Sequence, residues 1–352
     1  MLNGEIYRAG LRSALEGMGE ALANKRVLIT GATGLIGSFL TEALALMNEE
    51  RGAGLTLYAA GRSEAGVRAR FGGLVDAPYF HYVPYDATKP VDFGFSVDWV
   101  VHAATSAHPL AYSTDPVGTM QANLLGTIRL LEYLRAQGGG RFLLLSTGEI
   151  YGENPTLPEG FSEGDHGWVD SMQPRACYPE SKRAAETLCA AYAAQYGVDA
   201  LAARLCHVYG PTFTASNSRA DAQFIRRALA GEDIVLKSAG TQVRSFCYVA
   251  DAAAALLTLL QRGEAGQAYN VANRNSVASI RQYAETLADI AGVRVAFDVP
   301  PEVERAGYTR VTRAVLNPGK LEALGWRPRY DLRAGLEQTF RCRAGEDERR
   351  NG

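Results

Sequence analysis

The sequence has little net charge, few cysteines and no long apolar run, and each shortage excludes a class of protein. Its 352 residues carry a formal net charge of -2, so it lacks the basic character of proteins that bind nucleic acid or an anionic membrane. No run of about 18 apolar residues predicts a membrane span. The cysteines are odd in number and lack the C-x-x-C spacing of metal sites: Cys177, Cys189, Cys206, Cys247 and Cys342. We expect a cytoplasmic protein with no metal, nucleic acid or membrane partner.

The chain does contain an alternation of short apolar runs and helical stretches, within a composition that is 47% hydrophobic. Apolar runs predict strands at 27–30, 55–59, 80–83, 99–102, 141–146 and 201–205. Helical patterns at 39–47, 117–136 and 178–196 lie between or after them. Strands that alternate with helices indicate an α/β fold, a Rossmann-type doubly wound parallel sheet covered on both faces.

The texture of the sequence predicts four segments. Residues 1–24 form an N-terminal amphipathic helix, and 25–210 form the dinucleotide-binding domain, with late returns near 245–272. Residues 211–342 form mainly a smaller, interleaved C-terminal substrate lobe, with helices at 221–229, 251–260 and 279–290 and a late strand at 268–271. The charged stretch 343–352 is expected to be a disordered tail.

A glycine-rich turn directly follows the first strand and opens a helix, which is the context that a dinucleotide-binding fingerprint requires. Its glycines allow a tight turn and a close approach to a pyrophosphate, which the free N–H groups of the helix N-terminus favour. The expected cofactor-binding residues of this turn are Gly31, Thr33, Gly34, Leu35, Ile36 and Gly37.

The end of the second strand lacks the acidic residue that would bind the adenosine ribose of NAD. Arg62 and Ser63 stand there instead, and such a pair can hold a 2'-phosphate, so NADP is an alternative to NAD. Arg62 could also only stack on adenine. Asp86 follows the third strand and could accept a hydrogen bond from the adenine amino group, although aspartate is also common in turns.

Tyr178 and Lys182 lie four residues apart on a predicted helix and therefore share one face. A nearby ammonium would favour the phenolate and so produce a base near neutral pH. Thr147 follows a strand at the sheet edge where ligands bind, and it can hydrogen-bond a substrate hydroxyl while Tyr178 takes the proton. Glu149 is a further candidate base or polar contact.

Together with Asn123, these residues resemble the extended short-chain dehydrogenase/reductases that modify nucleotide-diphosphate sugars, over about residues 26–336. Several stretches are most similar to the UDP-glucuronate decarboxylases: 174–178 with Lys182, Arg183 and Glu186, 240–249 and 324–326. The resemblance implies oxidation at the sugar C4 to a 4-keto intermediate, with Tyr178 as base and Lys182 as its support. It also implies cofactor contacts from Ala103, Ala104, Asn123, Tyr178 and Lys182, and a substrate contact from Thr105.

The same resemblance assigns substrate-binding roles to Thr147, His207, Arg219, Arg244 and Arg313, and the chain departs from the family at several of these places. His207 replaces an asparagine that contacts the pyrophosphate, whereas Arg244 fits the family's phosphate-binding arginine. Arg313 can be aligned with an arginine near the sugar carboxylate, but Leu316 stands where that segment has aspartate.

Gly148 also departs from the pattern, because the dTDP-glucose dehydratases have an aspartate there that protonates the leaving hydroxyl and the decarboxylases have serine.

The first hypothesis is UDP-glucuronate decarboxylation. The alternatives are a 4-epimerase, a GDP-type 4,6-dehydratase, a net reductase and a non-catalytic dinucleotide sensor. The apolar helices 117–136 and 178–196 resemble those that pair in the family's homodimers.

Overall fold

The computed structural model describes residues 4–105, 109–154, 156–157, 160–215, 217–298 and 311–351. The strands are β1 Arg26–Thr30, β2 Thr56–Gly61, β3 Phe80–Pro84, β4 Trp99–His102, β5 Arg141–Thr147, β6 Asp199–Leu205, β7 His207–Tyr209, β8 Ile234–Leu236, β9 Val243–Tyr248, β10 Ala268–Val271, β11 Val277–Ser279, β12 Val295–Phe297 and β13 Arg313–Ala314. The helices are α1 Glu5–Ala14, α2 Leu35–Arg51, α3 Glu64–Phe71, α4 Pro109–Thr114, α5 Pro116–Ala136, α6 Cys177–Tyr196, α7 Ala220–Leu229, α8 Val249–Arg262, α9 Ile280–Ala291, α10 Gly319–Ala323 and α11 Leu332–Asn351.

A seven-stranded sheet forms the centre of the molecule, in the order β10-β6-β5-β4-β1-β2-β3. Every neighbouring pair in it is parallel. Its strands are continuous apolar runs, as expected where helices cover both faces, and all four residues of β4 are buried. The Rossmann-type fold predicted from the sequence is therefore confirmed. Because β2 and β4 lie on opposite sides of β1, the strand order reverses between β1 and β4, where such sheets bind ligands.

Helices α5 and α6 pack together on one face of this sheet and carry several of the predicted site residues. The side chain of Asp115 caps α5 by accepting a hydrogen bond from the N–H of Gly118 at 2.9 Å, and Pro116 occupies the first turn. α6 ends at Gly197, whose φ of +70° is the left-handed conformation that glycine tolerates. Local sequence therefore fixes where both helices begin or end.

The smaller lobe contains a second sheet, in which β9 pairs with β11, β13 and β7. β7 begins two residues after β6 ends, so the chain passes from the central sheet to the smaller sheet within one turn. β10 then pairs with β6 as the edge strand of the central sheet. This path interleaves the two parts of the chain. The predicted domain bounds stay a prediction.

The two ends of the chain are both helical. α1 buries Tyr7, Leu11 and Ala14 against the body of the protein. The stretch 343–352 was predicted as a disordered tail, but α11 continues through it to Asn351. Charged residues are compatible with a helix when they occupy its solvent face, and α11 buries Leu336 earlier in its course, so composition alone was misleading. Among the described residues, no helix is long and apolar enough to cross a membrane.

Candidate active site

The turn after β1 fits only glycine at two of its positions. Gly31 has a φ of +64°, and a Cβ there would lie 2.8 Å from backbone atoms of Ala103 and Ala104. A Cβ at Gly37 would lie 2.4 Å from the carbonyl oxygen of Gly31. The turn therefore packs directly against the segment after β4.

Gly34 is the N-cap of α2 and, lacking a side chain, leaves the first-turn N–H groups of that helix without a side-chain cap. Thr33, Leu35 and Ile36 are partly buried around this helix end. Uncapped N–H groups and the helix dipole favour an anion, so the geometry suits the pyrophosphate expected from the sequence.

Two of the residues expected to hold the adenosine end of the cofactor, Ser63 and Asp86, form hydrogen bonds within the protein. Ser63 caps α3 by accepting a hydrogen bond from the N–H of Gly66 at 3.2 Å, while Arg62 is exposed. Asp86 accepts hydrogen bonds from the N–H and the hydroxyl of Thr88 at 2.9 and 2.7 Å. These bonds hold the pKa of Asp86 below its ordinary value, and Arg62 acts in the same direction. The turn role of Asp86 is thus present, and its contact with adenine stays a prediction.

Tyr178 and Lys182 are both buried on α6, close to the carboxyl end of β5. The ammonium of Lys182 donates a hydrogen bond to the carbonyl oxygen of Leu145 at 2.8 Å. Burial lowers the pKa of Lys182 to about 8, against the opposing effects of Glu186 and Cys189. A cation buried beside a strand end can readily lose its proton near neutral pH, which makes its charge sensitive to pH.

Burial raises the pKa of Tyr178 to about 12, and Glu149 acts in the same direction. A hydrogen bond with Thr147 opposes this rise, as do the charge of Arg219 and a hydrogen bond with Tyr112. Thr147 also accepts a hydrogen bond from the N–H of Glu149 at 3.2 Å. The predicted pair of hydroxyls, Thr147 and Tyr178, therefore lies together, within hydrogen-bonding reach.

Two residues that sequence reasoning did not assign complete this cluster. The ring of Tyr112 stacks on that of Tyr178, with 4.7 Å between centroids and 21° between planes. The guanidinium of Arg175 lies 4.4 Å from the centre of the Tyr112 ring and pairs with Glu149 at 2.8 Å. Arg175 belongs to a stretch that carried the family resemblance, whereas nothing in the local pattern distinguishes Tyr112. Glu149 is thus tied to the tyrosines through Arg175.

Asn123 and Thr105 each have a buried polar atom without a hydrogen-bond partner among the described residues. The amide nitrogen of Asn123 donates to the hydroxyl of Ser181 at 2.9 Å, which ties α5 to the helix that carries Tyr178, but its Oδ1 is unpaired. The hydroxyl of Thr105 is likewise unpaired. Buried polar atoms in proteins normally have partners, so both atoms are suited to meet a ligand or an ordered water.

His207, Arg219 and Arg244 lie close enough to interact electrostatically. Burial lowers the pKa of His207 to about 3, followed by the charges of Arg244 and Arg219. The Arg244 side chain is buried and donates to the carbonyl oxygens of Val243 and Val311 at 2.9 and 2.7 Å. Burial lowers the pKa of Arg244, and Glu149 opposes this. A neutral imidazole between two guanidinium groups suits an anionic ligand.

Arg219 donates to the carbonyl oxygen of Val208 at 2.9 Å, and its Nε is buried without a hydrogen-bond partner among the described residues. Arg313 differs from these residues, because it is exposed on β13. The strand it belongs to pairs with β9 beside Arg244. The structure therefore groups three of the predicted substrate-binding residues and leaves Arg313 at the surface.

These features place the chain in the class of dinucleotide-binding α/β enzymes. Among the described residues, no group of three or more histidine, cysteine, aspartate or glutamate side chains could hold a metal ion. The model of the NAD dependent epimerase/dehydratase family matches residues 27–272. The chain belongs to that family.

Two curated relatives share about a third of the sequence. UDP-glucuronic acid decarboxylase 6 of Arabidopsis thaliana is 33% identical over 329 residues, which cover 92% of this chain and 91% of the relative. UDP-glucuronic acid decarboxylase 1 of Xenopus tropicalis is 32% identical over 316 residues, 90% of this chain and 71% of the relative.

Solved structures of other activities share the fold. A dTDP-glucose 4,6-dehydratase from Streptomyces venezuelae with NAD bound has a TM-score of 0.78 and 26% identity, covering 93% of this chain and 98% of that one. A UDP-glucose 4-epimerase from Thermus thermophilus in complex with NAD has a TM-score of 0.74 and 28% identity, covering 91% and 99%. The fold is therefore common to several reactions.

Proposed function

We propose that the protein modifies a nucleotide-diphosphate sugar through a 4-keto intermediate, and that it decarboxylates UDP-glucuronate. The observation that carries the first part is the buried Thr147–Tyr178 pair at the carboxyl end of β5, on the same sheet edge as the Gly31 turn. The second part is supported by the relatives at about a third identity, which are UDP-glucuronic acid decarboxylases.

The cofactor proposed for this chain is NAD, with NADP as the alternative that Arg62 and Ser63 suggest. The glycine turn, the uncapped N-terminus of α2 and the unpaired oxygens of Asn123 and Thr105 fit such a dinucleotide. When bound, the nicotinamide accepts a hydride from the sugar C4 and later returns it.

The chain's own residues would manage the proton and hold the substrate. Tyr178 takes the proton of the 4-hydroxyl, and Thr147 orients that hydroxyl by a hydrogen bond. Arg244 and Arg219 bind the diphosphate, since guanidinium groups suit phosphate oxygens, while His207 adds one neutral hydrogen-bond donor or acceptor. Electrostatic interactions among these side chains support the assignments, since Arg219 acts on both Tyr178 and His207 and Arg244 acts on His207.

The step after oxidation distinguishes the candidate reactions. Loss of water from C5 and C6 needs an acid for the leaving hydroxyl, and Gly148 cannot supply one. A carboxylate β to a ketone leaves as carbon dioxide without such an acid, which favours decarboxylation over that dehydration. A 4-epimerase is the second candidate, because Arg313 is exposed in the single chain and Leu316 stands where the decarboxylases have aspartate.

We further propose a cytoplasmic homodimer. Five free cysteines suit a reducing compartment. Leu124, Leu125 and Ile128 of α5 and Leu188 of α6 are only partly buried in the single chain, so these helices keep apolar surface that a second copy could cover. Light scattering of the purified protein measures this state directly.

A panel of nucleotide sugars, incubated with the protein and either NAD or NADP, tests the proposal. Product masses separate the reactions: loss of carbon dioxide indicates decarboxylation, loss of water indicates dehydration, and an isomer with a new retention time indicates epimerisation. Continuous growth of the nicotinamide absorbance in step with product would instead indicate a net dehydrogenase. UDP-glucuronate should lose carbon dioxide, and its recovery unchanged in every reaction would refute the proposed activity.

A further inference from the structure

Gly148 and Leu316, two positions at which the chain differs from the family pattern, are in contact with each other. Gly148 stands between Thr147 and Glu149, just beyond β5. A Cβ at Gly148 would lie 3.0 Å from Cδ1, 3.2 Å from Cδ2 and 3.4 Å from Cγ of Leu316. The leucine side chain therefore occupies the space into which a side chain at 148 would point.

Leu316 is fixed in this place through its backbone. Its N–H donates to the hydroxyl of Ser245 at 3.1 Å, and it forms a parallel bridge with Phe161. In that bridge the N–H of Phe161 donates to the carbonyl oxygen of Val315 at 2.9 Å. The N–H of Asn317 donates to the carbonyl oxygen of Phe161 at 2.8 Å. Backbone bonds on both sides hold the side chain against Gly148.

Leu316 lies in an apolar cluster, and charged side chains lie at the border of that cluster. It belongs to a cluster of buried apolar residues: Ile150, Tyr151, Phe161, Ala272 and Leu316. At the border, Glu149 is paired with Arg175, and Arg244 donates to backbone carbonyl oxygens. Leu316 is only 3% exposed, and its methyl groups pack on Gly148, next to Thr147, whereas the decarboxylases that the chain resembles have polar side chains at both positions.

We propose that Leu316, packed over Gly148, is the residue that determines specificity for the C5 substituent of the substrate sugar, by forming a dry wall against it. This inference rests on the proposed function for its substrate, UDP-glucuronate. A carboxylate beside methyl groups loses hydration without gaining a hydrogen bond, so its charged ground state is disfavoured.

The wall favours one step of the proposed reaction. In the 4-keto intermediate, the C5–C6 bond breaks and its electron pair moves towards the C4 carbonyl, which gives an enolate and carbon dioxide. The enolate then takes up a proton at C5 from solvent, because decarboxylation of a carboxylate consumes one proton overall, and Tyr178 returns its own proton to the 4-oxygen when the ketone is reduced again. No oxidant is consumed in this step, and the negative charge moves from the carboxylate to a delocalised enolate, so removing water from the carboxylate lowers the barrier.

Leu316→Asn tests the wall, with Leu157→Asn as the matched control. Leu157 packs on the same apolar cluster but is not among the atoms nearest Gly148. Binding is measured by calorimetry with NAD present, in a Tyr178→Phe background that prevents turnover, for UDP-glucuronate and for UDP-xylose, which has no C6. Release of carbon dioxide is measured with Tyr178 intact.

In Leu316→Asn, the affinity for UDP-glucuronate relative to that for UDP-xylose should rise roughly tenfold, because one hydrogen bond to a charged group contributes about that much. It should also release carbon dioxide about tenfold more slowly, because the ground state is stabilised. Leu157→Asn should leave the affinity ratio unchanged. A purely structural role for Leu316 would weaken binding of both ligands alike.

Three outcomes decide the matter. An unchanged affinity ratio in Leu316→Asn, or an equal change in the control, overturns the wall while leaving decarboxylation intact. A changed ratio without any release of carbon dioxide by the wild type overturns the proposed function and leaves the wall. Should Leu316→Asn fail to fold, as read by circular dichroism, Leu316→Thr provides the same comparison with a smaller polar side chain.

Discussion

The turn after β1 and the segment after β5 lie at the same edge of one sheet, but they are built in different ways. The first is made of backbone: Gly31 and Gly37 serve because they have no side chain, and their neighbours are backbone atoms. The second is made of side chains, with Thr147 and Glu149 surrounded by residues from other elements. A site built from backbone atoms requires few particular side chains beyond its glycines. The chemistry of a site built from side chains changes whenever one of the neighbouring residues changes.

This difference explains where the chain follows its family and where it departs. The glycine turn keeps the fingerprint because any Cβ there meets backbone, which cannot move aside. At the other region, Gly148 and Leu316 both differ from the residues that the resemblance implies, and the leucine side chain fills the space beside the glycine. Shared fold and cofactor geometry can thus accompany different reactions, as the dehydratase and epimerase structures illustrate.

The largest effect is expected from Tyr178→Phe, which removes the proposed base and leaves the ring stacked on Tyr112. Turnover should fall about 10³-fold, the usual contribution of a positioned acid or base. Tyr112→Phe is the matched control, since it removes the neighbouring hydroxyl, and it should cost about tenfold or less. Steady-state kinetics measure both. Wild-type turnover in Tyr178→Phe would refute the tyrosine mechanism.

Gly31→Ala should lower the free energy of unfolding, because the new Cβ would overlap backbone atoms. Gly52→Ala is the control, because it has the cost of the left-handed conformation without that overlap. Both glycines have similar φ values, +64° and +60°, but only Gly31 has backbone atoms at 2.8 Å, while a Cβ at Gly52 meets nothing within 4 Å. We expect a loss of about 1 to 2 kcal/mol for Gly52→Ala and at least about 3 kcal/mol for Gly31→Ala. Urea unfolding measures the difference, and equal losses would contradict the close approach.

Lys182 should give the catalytic rate a descending limb near pH 8, since burial lowers its pKa to about 8 and its charge is lost above that. Lys182→Arg, which stays charged, should remove the limb even if its rate is lower. In the folded state the pKa lies below the unfolded value of about 10.4, so the unfolded chain binds more protons between these values and this group makes stability rise with pH there. A limb that persists at pH 8 in the arginine variant would exclude Lys182 as its source.

The smallest effect is expected at His207, whose pKa burial lowers to about 3. The unfolded imidazole has a pKa of about 6.5 and binds a proton that the folded one does not, so stability falls as pH drops from about 6.5 towards 3. His207→Asn should flatten part of this loss in urea titrations. His102, also lowered to about 3 by burial and the charge of Lys182, remains as an internal reference. An unchanged acid slope would contradict a buried neutral His207.

Much of the framework could be predicted from the sequence. The predicted strand at 268–271 has the bounds of β10, and 117–136 differs from α5 by one residue. Apolar periodicity and capping residues act over a few positions, so a linear pattern is enough to recognise them. The stretch 343–352 was predicted as a disordered tail, whereas α11 continues to Asn351.

The candidate site could be predicted only in part. Tyr178, Lys182 and Thr147 follow a spacing or a strand end, and both tyrosine and lysine are buried. The expected lowering of the Tyr178 pKa by Lys182 is not seen, because burial raises that pKa to about 12 and Lys182 is not among the groups that act on it. Tyr112 and the contact between Gly148 and Leu316 have no linear signature, because their partners lie tens to hundreds of residues away. Such contacts arise only when separate elements pack.

The sequence by itself determined the parallel sheet, its glycine turn and the helix that carries Tyr178, because strand, turn and helix signals are local in the chain. Only the tertiary structure decided what surrounds the tyrosine. Tyr112 of α4 stacks against its ring, and the bridge between Phe161 and Leu316 brings a leucine over Gly148. Contacts between distant segments depend on the whole fold, so no local pattern in the sequence specifies them.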